Sequence, residues 1–439
     1  MISMNYGSED RRPGVLANEG LTGSASPLQD GYVWRNMLVK FALFFFCIAM
    51  WYKGPSYFGY GFLILVWILD RGPCRFRQMI REPFVLTILV FCAVLALGAL
   101  WGDGNEFRYF RWHKYLVFLI FIPFLALLNK ERLPWAISGL LVGYFSLVLI
   151  GAYQRIIMGY QGGILIPDLI KMNYLHFSPT LGIGAILALY LSGTSDNIKV
   201  RLALWFLVAF LLFFQIDLGG RGPLLATLLT SLLVIFMLYK SKIKIMLGIS
   251  ILFLSMFLVL AYNGDKLQGR VVEIKNDTIL LQLDDSEIGS ERKYRTGVGY
   301  RLAIWDIGLH AISQQPILGY GSGMALSVLR KTAETYKDGY YRNLPALKDH
   351  HFHNDLIEIG VYAGAVGLLA YAFFLWGWFK TLRAYRLTIL GVALPLYLLL
   401  IGLTDTTLIY NSVPTLFLVI TAAAISWQKE RGLLRVREK

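Results

Sequence analysis

The chain has 439 residues, 56% of them hydrophobic and only 16% charged, with a formal net charge of +14 and a mean hydropathy of +0.55. A soluble protein of this length carries about 25% charged residues, so the composition excludes an ordinary soluble domain and predicts an all-α polytopic membrane protein. Cys47, Cys74 and Cys92 have neither a metal spacing nor the pattern of a disulfide framework.

Residues 1–32 are polar and Gly/Ser-rich and lack the short apolar core of a cleavable signal peptide, so they are read as a disordered cytoplasmic tail. Apolar runs then predict about twelve transmembrane helices. Nine fill 33–262, at roughly 33–51, 56–70, 84–101, 115–128, 134–153, 177–192, 202–216, 223–239 and 243–262. Three more, 356–379, 388–404 and 411–427, fill 356–427, and a basic tail follows over 428–439. Pro123, Pro395 and Pro414 fall inside apolar runs, which membrane helices tolerate.

Short-loop Lys/Arg bias sets the orientation. The loops on the side of the N-terminus hold Arg71, Arg75, Arg77, Arg81, Lys130, Arg132, Lys199, Arg201, Lys240, Lys242, Lys244, Lys380, Arg383 and Arg386. The opposite short loops hold half as many: Lys53, Arg108, Arg111, Lys114, Arg155, Lys171 and Arg221. Both termini are therefore expected in the cytoplasm. The positive charge is largely this topology signal and need not mean nucleic acid; membrane lipids, and no nucleic acid, are the expected partners.

The loop over 263–355 is too long to be a plain connector and lies on the outer side in this topology. Within it, Arg301-Leu-Ala-Ile-Trp305-Asp-Ile-Gly-Leu309-His-Ala-Ile312 places apolar residues at helical spacing. Gln315-Pro-Ile-Leu-Gly319-Tyr-Gly-Ser-Gly323 then breaks the helix. Such a helix lies on the membrane surface or roofs a cavity.

Several outer positions could carry chemistry. Arg221 sits in Asp217-Leu-Gly-Gly-Arg221-Gly-Pro223, where glycines admit close backbone approach and a phosphate would meet a guanidinium and a helix N-terminus. The alternative is an arginine that snorkels to the interface. Arg301 opens the loop helix and on charge grounds alone is unremarkable. Arg108, Arg111, His113 and Lys114 form a cationic, aromatic-rich loop, suited equally to a pyrophosphate, to anionic head groups or to an interfacial belt. Arg155, Lys171 and His176 flank Gln161-Gly-Gly163 and are possible phosphate contacts. Last, His350-His351-Phe352-His353-Asn354-Asp355 holds half of the chain's six histidines at the mouth of the tenth predicted span. Imidazole exchanges protons readily near neutral pH, although such a cluster also marks a wet interface. No metal is expected, because His351 and His353 lack acidic partners at a suitable spacing and Asp349 with Asp355 is not a convincing divalent-metal pair. No nucleotide loop and no other cofactor motif is present.

Together these pieces resemble the O-antigen ligase/polymerase family, the WaaL and Wzy superfamily. His353-Asn354, nine residues, Gly364, two residues and Gly367 follow the ligase pattern. Arg301 through Trp305 with Pro316-Ile-Leu-Gly-Tyr-Gly321 resembles its Arg-x-x-x-Trp helix and Pro-Leu-Leu-Gly-x-Gly turn. Arg221-Gly222 resembles its [Ser/Gly]-Arg-Gly turn, with Gly220 where many members have Ser. The shared module covers about 205–370. The resemblance implies a GT-C-like glycosyltransferase architecture at the periplasmic face of the bacterial inner membrane. It implies a donor polysaccharide on undecaprenyl pyrophosphate, a lipid A–core acceptor, no cofactor, and an inverting transfer. It puts His353 as the base, with Arg221 and Arg301 on the pyrophosphate. Arg108, Arg111, Lys114, Arg155, His176, His351 and Asn354 would be substrate-binding, with His351 or His350 orienting the acceptor. Rival readings are a polymerase or protein oligosaccharyltransferase of the same superfamily. A flippase is the rival of another class, disfavoured because the cations gather at outer ends of the spans and not along their depth.

Overall fold

The computed structural model describes residues 27–102, 112–159, 163–166, 170–218, 220–262, 297–342, 347 and 351–437. The described helices are, in order, α1 (Pro27–Ala49), α2 (Lys53–Leu69), α3 (Gly72–Met79) and α4 (Pro83–Gly98). A 3-10 segment, Trp112–Ile120, runs into α5 (Phe121–Leu127), and α6 (Leu133–Ile156) follows. After a small hairpin come α7 (Tyr174–Thr194), α8 (Ile198–Leu218), α9 (Arg221–Leu238) and α10 (Lys242–Tyr262). The loop helices α11 (Gly297–Gln314) and α12 (Ala325–Thr335) precede α13 (Asp355–Ala384), α14 (Thr388–Gly402) and α15 (Ser412–Arg437).

By length and composition, five described helices can cross a membrane, α6, α7, α8, α9 and α13. The pair α3 and α4, bent by 99°, makes a possible sixth. Trp112–Leu127 and α14 are apolar but shorter. Two expectations need adjusting. The run at 115–128 is a 3-10 turn feeding a short α-helix: Pro123 has no N–H for the carbonyl four residues back, so an α-helical ladder cannot run through it unbroken. The Gln161-Gly-Gly163 region leads into an antiparallel hairpin, β1 (Gly163–Ile166) with β2 (Ile170–Asn173), Gly163 pairing with Asn173.

The centre of the bundle is aromatic. Phe84 stacks on Trp378 at 5.2 Å, Phe91 on Phe374 at 5.5 Å, and Phe118 meets Phe374 edge-on at 5.0 Å. All five rings are essentially without solvent contact, so α4, α13 and the 3-10 segment form one rigid unit. The 30-residue α13, kinked at Ala363 and Gly364, separates two ends of the molecule. At its C-terminal end Glu82 accepts from Tyr385 (2.5 Å) and pairs with Lys429 (3.1 Å). Two of the cation-rich loops meet in a further polar knot: the buried Arg132 forks onto both carboxylate oxygens of Asp70 (2.9 and 3.1 Å) and donates to Asn36, and Arg75 joins Asp70. At the N-terminal end of α13 lies His353.

Candidate active site

The tenth predicted span starts where Asn354 caps α13. Its Oδ1 accepts from the N–H groups of Leu356 (2.9 Å) and Ile357 (3.2 Å), and its Nδ2 donates to the Leu403 carbonyl (3.1 Å). One side chain thus both starts the helix and ties it to the 403–411 loop. Asp355 and Glu358 occupy the first turn, where the helix dipole favours carboxylates. Both are buried and bonded. Asp355 accepts from Thr407 Oγ1 (2.8 Å) and the Leu408 N–H, and Glu358 from the Phe352 N–H (2.9 Å) and Tyr362 OH (2.6 Å).

His353 has φ +49°, a left-handed conformation uncommon in residues with a Cβ. Its neighbours hold it there. Trp305 Nε1 donates to the Phe352 carbonyl (3.0 Å), Glu358 takes the Phe352 N–H, and Asn354 is locked as the cap. The backbone is therefore fixed on both sides of a strained residue, and such strain is typical of functional positions. The result presents Nδ1 of His353 to Asp405 Oδ1 at 2.8 Å. Asp405 is buried, and it also accepts from Tyr410 OH (2.9 Å) and the Thr406 N–H (2.9 Å). Burial works against the Asp405 charge. The His353 hydrogen bond, the charges of His353 and His351 and the Tyr410 hydroxyl outweigh it and hold the carboxyl below its ordinary range. An ionised Asp405 accepts, so Nδ1 of His353 carries a proton, and in the neutral ring the lone pair is on Nε2.

Other elements close on this pair. The His351 ring lies 4.2 Å from that of His353, and Tyr300 at the start of α11 meets His353 at 5.6 Å. Arg301 is the next residue, on the helix whose Trp305 holds Phe352, so α11 is docked directly on the histidine segment. Arg221 is exposed at the first position of α9. A Cβ on Gly222 would collide with Thr404, the residue before Asp405, so the arginine turn packs against the Asp405 loop. His176 packs its ring 3.8 Å from Tyr410, and the charge of Lys114 reaches His176. Arg155 is joined to the Asp217 side chain and carbonyl, which ties it to the strand of chain leading into the Arg221 turn. Arg108, Arg111, Asp349 and His350 lie outside the described residues.

The Gly-x-Gly turn of the loop has a defined job. α13 breaks at Ala363 and Gly364, and Gly364 adopts φ +55°, ψ −146°, which is essentially a glycine-only conformation. The turn enters the break. Tyr320 and Gly321 N–H groups donate to the carbonyls of Val361 (2.8 Å) and Tyr362 (3.0 Å), while Ala365 and Val366 N–H groups donate to those of Pro316 (2.8 Å) and Ile317 (3.2 Å). Groups freed by breaking a membrane helix are thereby satisfied. Ser322 fastens the same turn to α4 through Gly98 O (3.0 Å) and Leu95 O (2.6 Å).

Asp405 and its support by Tyr410, and the pinning of Phe352 by Trp305 and Glu358, were not found by sequence reasoning. The available signal was a carboxylate in Thr404-Asp-Thr-Thr407, a short loop without Lys or Arg. The expectation that His351 and His353 lack an acidic partner is corrected: ligand atoms of His351, His353 and Asp405 lie within 4.8 Å of one another, a set that could hold a metal ion. The His353–Asp405 separation of 2.8 Å is that of a direct hydrogen bond.

Residues 206–372 match the O-antigen ligase (Wzy_C) family model. This segment belongs to the O-antigen ligase/polymerase superfamily. The match contains Arg221, the described part of the long loop with Arg301, and the α13 start with His353 and Gly364; Asp405 lies beyond it. No curated protein gave a match to the chain.

Proposed function

We propose that the protein is an O-antigen ligase, moving polysaccharide from undecaprenyl pyrophosphate to lipid A–core at the periplasmic face of the inner membrane. The observation that carries this reading is the strained His353 oriented by buried, ionised Asp405, with the Arg221 turn and the Arg301 helix packed on the same cluster. His353 Nε2 takes the proton of the acceptor hydroxyl as its oxygen attacks the anomeric carbon. The bond from that carbon to the pyrophosphate oxygen breaks, its electron pair leaves with the pyrophosphate, and the anomeric centre inverts. Arg221 and Arg301 stabilise the charge growing on the leaving oxygen. Asp405 fixes the tautomer and stabilises the imidazolium, as the carboxylate does in other His-based sites. The leaving group is already a good one, so the proposed reaction needs no cofactor and no metal.

Lipopolysaccharide gels from a deletion strain, with and without the gene supplied, test the reading. Long ladders lost from lipid A–core and regained mark a ligase. Accumulation of single lipid-linked repeats marks a polymerase instead. With purified protein, donor and acceptor, transfer should continue in EDTA. Loss restored by Mg²⁺ or Zn²⁺ would assign the His351, His353 and Asp405 set to a metal.

A further inference from the structure

We propose that the tip of the turn 316–321 is embedded in the bilayer at the edge of the hydrocarbon and so fixes the height of the His353 cluster. The inference does not depend on the ligase reading. Two helices give the depth of the turn. From Arg383 back to Ala365, whose N–H donates to the Pro316 carbonyl, α13 rises about 27 Å. From Pro83 to Gly98, whose carbonyl accepts from Ser322, α4 rises about 24 Å. Both lengths approach the roughly 30 Å hydrocarbon thickness of a bilayer. With Arg81, Glu82, Lys380 and Arg383 at one face, the break of α13 therefore falls at the other. The charges of α13 agree: Asp355 and Glu358 precede the break, and the next charged residue is Lys380.

The turn has the chemistry of a lipid contact. Residues 307–329 contain no Asp, Glu, Lys or Arg, although charged residues are frequent on both sides of them in the long loop. Pro316, Ile317 and Leu318 are exposed, the last two at 66% and 52%. Leu100, 78% exposed, and Trp101 follow Gly98 at the same edge, and the exposed Val366 and Leu369 continue the apolar surface along α13. A contiguous apolar patch of this kind marks an interaction site. Its continuity with the lipid-facing side of a membrane helix selects hydrocarbon as the occupant, and Trp101 is of the residue type enriched at the interface. Irregular backbone at membrane depth is tolerated only where protein covers it. Here the backbone of the turn is seated in the break of α13, the Gly319 N–H donates to the Gln315 carbonyl (3.2 Å), and Pro316 has no N–H. The Ile317 and Leu318 side chains are left to the lipid. The loop helix α11 does not lie flat on the surface but runs beside α13: a Cβ on Gly308 would meet Ile357, and one on Gly360 would meet Ile312. It joins Tyr300 and Arg301 at the site to an anchor at the hydrocarbon edge.

The test places spin labels on single cysteines in the full-length protein, reconstituted in phosphatidylethanolamine and phosphatidylglycerol vesicles. The background carries Cys74→Ser, because Cys47 and Cys92 are buried. Oxygen concentrates in hydrocarbon, whereas a neutral nickel chelate stays in water. Labels at Ile317→Cys and Leu318→Cys should collide with oxygen as one at the lipid-facing Leu369→Cys does. They should lose most of the chelate collision recorded at Arg330→Cys, an exposed position on α12. Leu100→Cys reads the same edge without altering the turn and decides the matter if the turn variants fail to insert. Chelate access at 317 and 318 equal to that at 330 would overturn the proposal by putting the turn in water. Exclusion of both reagents would overturn it in favour of a protein cover such as a second copy of the chain. Neither outcome bears on whether the protein transfers polysaccharide, so the ligase reading stands or falls separately.

Discussion

Asp405 turns His353 from a histidine at an interface into one with an assigned tautomer. Asp405→Asn keeps the size but loses the charge that selects Nδ1–H, so kcat should fall on the order of a hundredfold or more with little change in donor KM. A mutant transferring at the parent rate would make the pair structural. The pair also has a pH signature. The folded Asp405 carboxyl is held below its ordinary range, so its contribution to stability is complete above the unfolded value of about 3.9. That contribution disappears as pH falls through the lower folded value. The melting midpoint of the parent should exceed that of Asp405→Asn at pH 7, and the gap should narrow at pH 3; a constant gap would contradict the ionised pair. Arg221→Lys and Arg301→Lys keep the charge but lose the planar fork, and each should cost about a hundredfold in rate in correctly inserted protein. Full activity of either lysine variant would remove that arginine from the pyrophosphate.

At the scale of elements, the decisive feature is the turn 316–321 seated in the break of α13. Gly364→Ala would place a Cβ 2.5 Å from the Ile317 carbonyl and 2.7 Å from that of Pro316, at a φ/ψ where L side chains are strained. The variant should lose the four exchanged hydrogen bonds and about 4 kcal/mol or more of stability, read as a collapse in folded yield and melting midpoint. A variant of parental stability would show that α13 can heal its break. The spacing of His353, Gly364 and Gly367 was legible as a motif, and so was the turn. Its reason was not. The helix break needs partners that come from a segment more than forty residues earlier, and helical periodicity carries no trace of that pairing.

For the whole molecule, the Lys/Arg bias predicts which loops share a side, and the contacts group several of them accordingly. The 71–81 and 129–132 segments meet around Asp70, and Glu82 joins Tyr385 and Lys429 at the opposite end of α13 from His353. A membrane-impermeant thiol reagent added from the periplasm should label a cysteine placed at Ser313 and spare both one at Ser241 and the exposed native Cys74. The reverse pattern would invert the orientation and move the site to the cytoplasmic face.

By itself the sequence determined the membrane class, the helical character and the helix that begins the long loop's second half, and it singled out His353, Arg221 and Arg301 as candidates, because hydropathy, charge bias and short motifs are local properties of the chain. Only the tertiary structure decided which acid serves the histidine. Asp405 is 52 residues beyond His353, carries no motif, and becomes its partner only because the Asn354 cap and Gly222 draw the 403–411 loop against the start of α13 and the Arg221 turn. The bend between α3 and α4 and the 3-10 entry to α5 are of the same kind. They arise where Pro123, bulky aromatics and neighbouring helices compete for one space, and that competition is settled by packing and not by any window of sequence.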